Sequence, residues 1–153
     1  MAGELVERRA LDGHLIERVR EPEIAHRLGL TPHPEGGWYR RTWTSPETMV
    51  TADGRQRPAA TAILFALPPG ETSAWHRVAS AELWLWHGPG PLRLQLGGGG
   101  DEPANGPVRV LGPANPQGVV PAGQWQRTLP EDQEVLVSCV VAPGFDFADF
   151  TLA

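Results

Sequence analysis

The segment Gly70–Gly88 (GETSAWHRVASAELWLWHG) holds the side chains best suited to chemistry. His76 stands six residues before Glu82, with the small residues Ala79-Ser80-Ala81 between them forming a tight turn. Imidazole has an ordinary pKa close to neutrality, so a positioned histidine can take up and return protons. A neighbouring carboxylate orients the ring and stabilises its charged form. His76 is therefore a candidate catalytic base, and Glu82 its candidate orienting partner. Residues two apart on a strand share a face, so if Glu82 faces an interior, Trp84 and Trp86 do as well. Flat rings beside a few polar anchors are the usual lining of a ligand cleft. Tyr39 and Arg41 share a face of another candidate strand and are assigned to the pocket mouth.

Other reactive residue types receive structural roles. His33 lies in the turn-rich connector Leu30–Gly37 (LTPHPEGG) and is read as a turn residue. His14 and His26 fall in a charged region and are read as solvated. His87 is read as capping a strand end. Arg77 alternates away from His76 and is read as one half of an outer-face ion pair. Cys139, the single cysteine, sits in the apolar run Val135–Val141 and reads as a buried small hydrophobe. One cysteine excludes an internal disulfide and a cysteine-rich metal cluster.

The elements that must position these groups are mostly short strands. Trp38–Thr44, Ala60–Leu67, Ser73–Val78, Glu82–His87, Leu92–Leu96, Val108–Leu111, Val119-Val120, Trp125–Thr128 and Val135–Val141 all read as strands. Eighteen glycines and sixteen prolines punctuate the chain as turn pairs rather than as one linker. Pro22–Leu28 reads as a short helix stopped by Gly29. Gly97–Gly106 (GGGGDEPANG) is expected to be a mobile hairpin tip, and the Phe145, Phe147 and Phe150 tail to dock on the body. Residues 1–20 read as a charged arm and 21–153 as one domain. No βαβ alternation occurs, so the pattern predicts an all-β sandwich or jelly-roll barrel.

Composition narrows the function classes. The chain has 153 residues, 41% of them hydrophobic, enough for one self-sufficient core. Net charge is −5, and all thirteen basic residues are arginines without a basic stripe, which argues against nucleic acid as a partner. The charged N-terminus does not read as a signal peptide, and no stretch approaches the ~18 apolar residues of a membrane span. The expected setting is the cytoplasm, with a small molecule as partner.

The Gly70–Gly88 segment resembles the first motif of the cupin superfamily, with Gly70, His76 and Glu82 in register. Val120–Gln126 (VPAGQWQ) resembles the second motif. More closely, the chain resembles the DUF985 (cupin-5) group through His33–Gly37 (HPEGG), His76-Arg77-Val78, Glu82-Leu83-Trp84 and Ala142–Phe147 (APGFDF). The resemblance implies a double-stranded β-helix, the cupin jelly-roll barrel, with the short helix packed outside it. Metal-binding cupins carry two histidines in the first motif and one in the second, where this chain has Val78 and Gln126. No firmly held cofactor is expected; a weakly bound divalent metal would have only His76, Glu82 and Gln126. The ligand set is Trp84, Trp86, Gln126, Tyr39 and Arg41. Three activities remain open: a metal-independent epimerase or isomerase on a sugar-nucleotide-like or other small polar metabolite, with His76 as base; a metal-dependent cupin enzyme; and a non-catalytic binding module. Cupins of this size commonly pair, and Trp38, Trp43 and Val50 give this chain apolar edge to cover, so a homodimer is expected.

Overall fold

The structure is a computed structural model that describes residues 3–153. Its chain order is β1 (Leu5–Arg9), β2 (Leu15–Arg20), α1 (Glu23–Leu28), β3 (Thr31–Pro32), β4 (Trp38–Thr44), β5 (Thr48–Val50), β6 (Gln56–Pro58), β7 (Thr61–Leu67), β8 (His76–Val78), β9 (Ala81–Pro89), β10 (Leu92–Leu96), β11 (Val108–Leu111), β12 (Gln117–Val120), β13 (Gln126–Leu129), β14 (Val135–Ala142) and β15 (Phe150–Leu152). Two antiparallel sheets face one another. One has the order β12-β9-β14-β7-β4-β3 and the other β11-β10-β13-β8-β15. This is the jelly-roll architecture that the strand rhythm and the motifs predict.

Alternation builds the interior. Val135, Val137, Cys139 and Val141 of β14 are buried while the residues between them are more exposed. Leu92, Leu94 and Leu96 meet them from the facing sheet, and the main core adds Phe65, Trp84, Leu111 and Val120. The larger sheet is covered on its outer face too. Ile24 and Ala25 of α1, with Leu30, Trp38 and Ala66, form a second cluster that Val6 and Val19 join. The helix starts after Pro22 and stops at Gly29, whose φ of 68° suits glycine at a helix end.

Two segments differ from expectation. Residues 5–20, read as an arm, form the β1–β2 hairpin, and its Val6 and Val19 supply apolar surface to the helix cluster. The alternation is hard to read in the sequence because Arg8 and Glu17 share the face of Val6 and Val19. The glycine-rich loop after β10 is tied down rather than loose: Ala104 N–H donates to Gly97 O, Gly97 N–H to Trp125 O, and Gly100 O accepts from Arg77 and Trp125. Among the described residues Arg77 has no ion-pair partner; its guanidinium lies 4.6 Å over the Trp125 ring. Among the described residues no helix is long and apolar enough to cross a membrane.

Candidate functional site

The inner face of the larger sheet carries side chains in rows set by its register. Thr61, Val141 and Glu82 stand abreast; the next row holds Arg41, Ile63, Cys139 and Trp84; the third holds Tyr39, Phe65, Val137 and Trp86. Successive rows lie roughly 6.8 Å apart, twice the rise per strand residue. Trp84 and Trp86 therefore share Glu82's face but not its depth. They fill the closed end with the core, while Glu82 opens onto a cavity of about 270 Å³. The indoles do not line that cavity, contrary to expectation. Trp84 Nε1 donates instead to Gln126 Oε1 (3.0 Å), and Trp86 Nε1 to Gly90 O (2.8 Å).

The cavity brings together His76 and Glu82 as anticipated, with Tyr39 and Arg41 also on its wall. It adds Glu35 and His33, neither of them among the expected site residues, and Phe145, Phe147 and Phe150 of the docked tail. The partner of His76 is Glu35, not Glu82. His76 Nδ1 lies 2.7 Å from Ala74 O, and a carbonyl only accepts, so Nδ1 carries the hydrogen. Nε2 of the neutral ring then presents its lone pair to Glu35 Oε2, 3.3 Å away. The Phe150 ring stacks on the imidazole with centroids 5.6 Å apart.

Glu35 is placed by the turn His33–Gly37. His33 N–H donates to Gly37 O and Gly36 N–H to His33 O. Both glycines are required. At Gly36, with φ 109°, a Cβ would lie 2.1 Å from Thr72 O; at Gly37, with φ 76°, it would lie 2.4 Å from the Phe65 ring. Glu35 N–H donates to His33 Nδ1 (3.2 Å), so the His33 ring is neutral with Nδ1 bare. The turn is clamped from outside by the buried Arg8 of β1. Its Nη1 donates to His33 O (2.5 Å) and Gly37 O (2.7 Å), and its Nη2 to Glu71 Oε1 (2.8 Å). Glu71 in turn accepts from Gly37 N–H and Trp38 Nε1–H.

Burial governs the electrostatics. It pushes the His76 pKa down to about 4 against a smaller opposing effect of the Ala74 carbonyl. His33 falls to about 3 through burial, with His76 and Arg8 adding to the effect. Glu35 is raised well above the ordinary carboxyl range by burial and by the charge of Glu82. Glu82 is raised to about 6 by burial, with Gln126 and Cys139 hydrogen bonds acting the other way. The Glu35–His76 contact thus sets a carboxyl whose neutral form is favoured beside a neutral ring. The Cys139 thiol, on the same wall, is pushed up by burial and by both carboxyls, which keeps it protonated and unreactive.

Gln126 reaches Glu82 from the facing sheet, Nε2 donating to Oε1 at 2.8 Å. Its carbonyl oxygen is engaged by Trp84, so the amide turns N–H and not a lone pair toward the site. That geometry does not fit a metal ligand. With Val78 in place of a second histidine, no group of three or more His, Cys, Asp or Glu side chains among the described residues is arranged to hold an ion. The donor set therefore does not suit the metal that the cupin resemblance associates with these positions. Glu35 had a signal in the sequence: it is the acid of the His33–Gly37 (HPEGG) segment that carries the family resemblance.

Comparison with known proteins agrees with this architecture. A hypothetical protein from Leishmania major is 30% identical, with a TM-score of 0.74 and 84% of each chain covered. A protein from Shewanella oneidensis is 31% identical, with a TM-score of 0.72, covering 86% of this chain and 82% of that one. The oxalate decarboxylase of Bacillus subtilis shares the fold alone, at 16% identity and a TM-score of 0.57, with 79% of this chain and 29% of that one covered. No functionally curated protein matches the sequence. The family described as cupin superfamily (DUF985) matches residues 22–153, and the chain belongs to it.

Proposed function

We propose that this cupin is a metal-independent proton-transfer enzyme of the isomerase or epimerase type, acting on a small polar metabolite. The observation that carries this reading is a pair of buried carboxyl groups on one cavity whose proton affinities are pushed apart. Two titratable groups so separated are a ready acid and base. Glu82, at about 6, is ionised at neutral pH and is the base; Glu35, whose neutral form is favoured by burial and by the Glu82 charge, is assigned as the acid. This replaces His76 as base. With a pKa near 4, His76 is a weak base at neutral pH, and its ring, with Nε2 3.3 Å from Glu35 Oε2, serves to position the Glu35 carboxyl while the acid's single proton is left for the substrate.

The chemistry follows from these roles. Glu82 removes a proton from carbon next to a carbonyl. The C–H electron pair moves into a C=C bond while the carbonyl π pair moves onto oxygen. Glu35 donates a hydrogen bond to that oxygen, where the charge develops in a site sheltered from water. For the isomer, Glu82 returns the proton to the former carbonyl carbon, Glu35 gives its proton to the former carbonyl oxygen, and the hydroxyl on the neighbouring carbon loses its proton to Glu35 as its C–O becomes the new carbonyl. For the epimer, water supplies the proton on the face opposite Glu82, which releases its own to solvent. Gln126 holds one Glu82 oxygen in place. The cavity, about 270 Å³, has the volume of roughly nine waters, which is too small for a whole sugar nucleotide and suits a free metabolite.

The test is hydrogen exchange. Small hydroxy-aldehydes, ketones and keto acids are incubated with chelator-treated protein in D2O and followed by NMR. The expected result is deuterium entering the carbon next to the carbonyl, with a rate that rises through about pH 6 and is lost in Glu82→Gln and Glu35→Gln. Ligand binding without exchange would establish a binding module instead, and exchange that requires added metal would overturn the metal-independent reading.

A further inference from the structure

Among the described residues, Arg41 is the one cation whose side chain lines the cavity. Simple alternation along β4 would send Tyr39, Arg41 and Trp43 all inward. The register slips between Arg41 and Trp43: Arg41 pairs with Ile63, but Trp43 pairs with Ala62. The extra residue, Thr42, is a bulge, a device that re-aims the side chains beside it. Trp43 is turned out to solvent, and the rim above Arg41 stays open. Arg40, on the other face, bonds Leu28 O on the helix side. The Arg41 guanidinium lies 6.0 Å over the Phe145 ring and donates through Nη2 to Phe145 O at 3.1 Å. That bond uses one of five N–H donors.

The buried side of the cavity, across the sheet from exposed Arg41 rather than at the tryptophan-filled end, has the opposite character. Glu35 and Glu82 face it, both histidines there are neutral, and no cation lines it. An anionic group placed on that side would meet the Glu82 charge at low dielectric. At the rim it would meet a guanidinium whose planar fork matches a carboxylate. We infer that the cavity takes a small monocarboxylate, its carboxylate outward on Arg41 and its uncharged end inward toward Glu82 and Glu35. This rests on the proton-transfer reading only in naming which end reacts. The span agrees: β4 and β9 are three strand spacings apart in the sheet, roughly 14 Å. Both side chains stand on the inner face and line the cavity between them, where a short carbon chain fits.

The test is a thermal-shift titration of small monocarboxylates, each beside its primary amide and beside inorganic phosphate, on wild type, Arg41→Gln and Arg41→Lys. Carboxylates are expected to raise the melting temperature and their amides not. Arg41→Gln should weaken binding by about tenfold or more, the loss of a charge-assisted hydrogen bond, and Arg41→Lys by less. Equal binding of acid and amide, unchanged binding in Arg41→Gln, preference for phosphate, or no carboxylate binding at all would each overturn the inference. The acid–amide comparison needs no variant, so a folding defect in Arg41→Gln would leave the test intact. Deuterium exchange is read separately: carboxylates that bind through Arg41 without exchanging would sink the proton-transfer reading alone, and exchange in uncharged substrates would sink this one alone.

Discussion

Glu82 is a carboxyl held where its charge is disfavoured, and the sign of that effect is testable. Its folded pKa, about 6, lies above the ordinary value of 4.5. Folding therefore bears no penalty from it below pH 4.5, and the penalty grows as pH rises through about 6, to about 2 kcal/mol. Glu82→Gln should stabilise the protein by about that amount above pH 6, and give no gain below 4.5, in urea denaturation, while abolishing exchange. The histidines work in the other direction. His76 and His33, held near 4 and 3 against an ordinary 6.5, lend stability that is complete above pH 6.5. It is lost as pH falls through those values, by on the order of 3 kcal/mol or more for each ring. Histidine NMR should show neither ring titrating between pH 5 and 8, and the urea midpoint should drop steeply from pH 6 to pH 4. A His76 resonance titrating near 6.5 would contradict the neutral pair.

At the scale of elements, the site depends on a hairpin that lies before the family match. Arg8 connects β1 to the His33–Gly37 turn and to Glu71, making four hydrogen bonds from a nearly inaccessible position. Arg8→Ala should cost about 3 kcal/mol, because Glu71 loses its partner cation. It should also loosen the Glu35 turn, read as faster amide exchange at Gly36 and Gly37. Arg8→Lys should recover little, since one ammonium cannot replace a fork that reaches two carbonyls and two carboxylates. The aromatic wall has a comparable anchor: Asp149 accepts from Arg55 and from both Nε and Nη2 of Arg57, which ties the Phe147–Phe150 tail to β5 and β6.

At the scale of the molecule, apolar surface remains beside the cavity mouth. Trp38, expected on that surface, is buried under α1 and is removed from it. Trp43 is 49% exposed, and Met49 and Val50 of β5 are 38% and 65% exposed. An apolar patch beside a sheet edge is ordinarily covered, and pairing with a second copy of the chain is the proposed cover. Light scattering at micromolar concentration should give twice the chain mass, and Trp43→Glu should return it to the monomer mass with the fold intact by circular dichroism. A wild-type monomer would refute pairing.

The jelly roll was legible in the sequence because alternation is local. Leu92, Leu94 and Leu96, or Val135 to Val141, declare an inner face without reference to any other segment, and glycine–proline pairs mark where each strand ends. The motifs likewise located His76 and Glu82 on one pocket. Depth and partnership were not legible, because both depend on register between strands distant in sequence. Trp84 and Trp86 share a face with Glu82, yet two and four residues of strand rise carry them into the packed end. Gln126 faces Glu82 as expected, but which of its amide atoms faces inward is decided by Trp84 across the barrel. His76 found its carboxyl in Glu35, forty-one residues earlier, because Arg8 and two glycines fold that turn over the cavity. Sequence alone determined the barrel's main strands and the two reactive groups of the motif; only tertiary structure decided the N-terminal hairpin and those groups' proton affinities, since burial and the nearest charge set the latter, and both are properties of the packed interior.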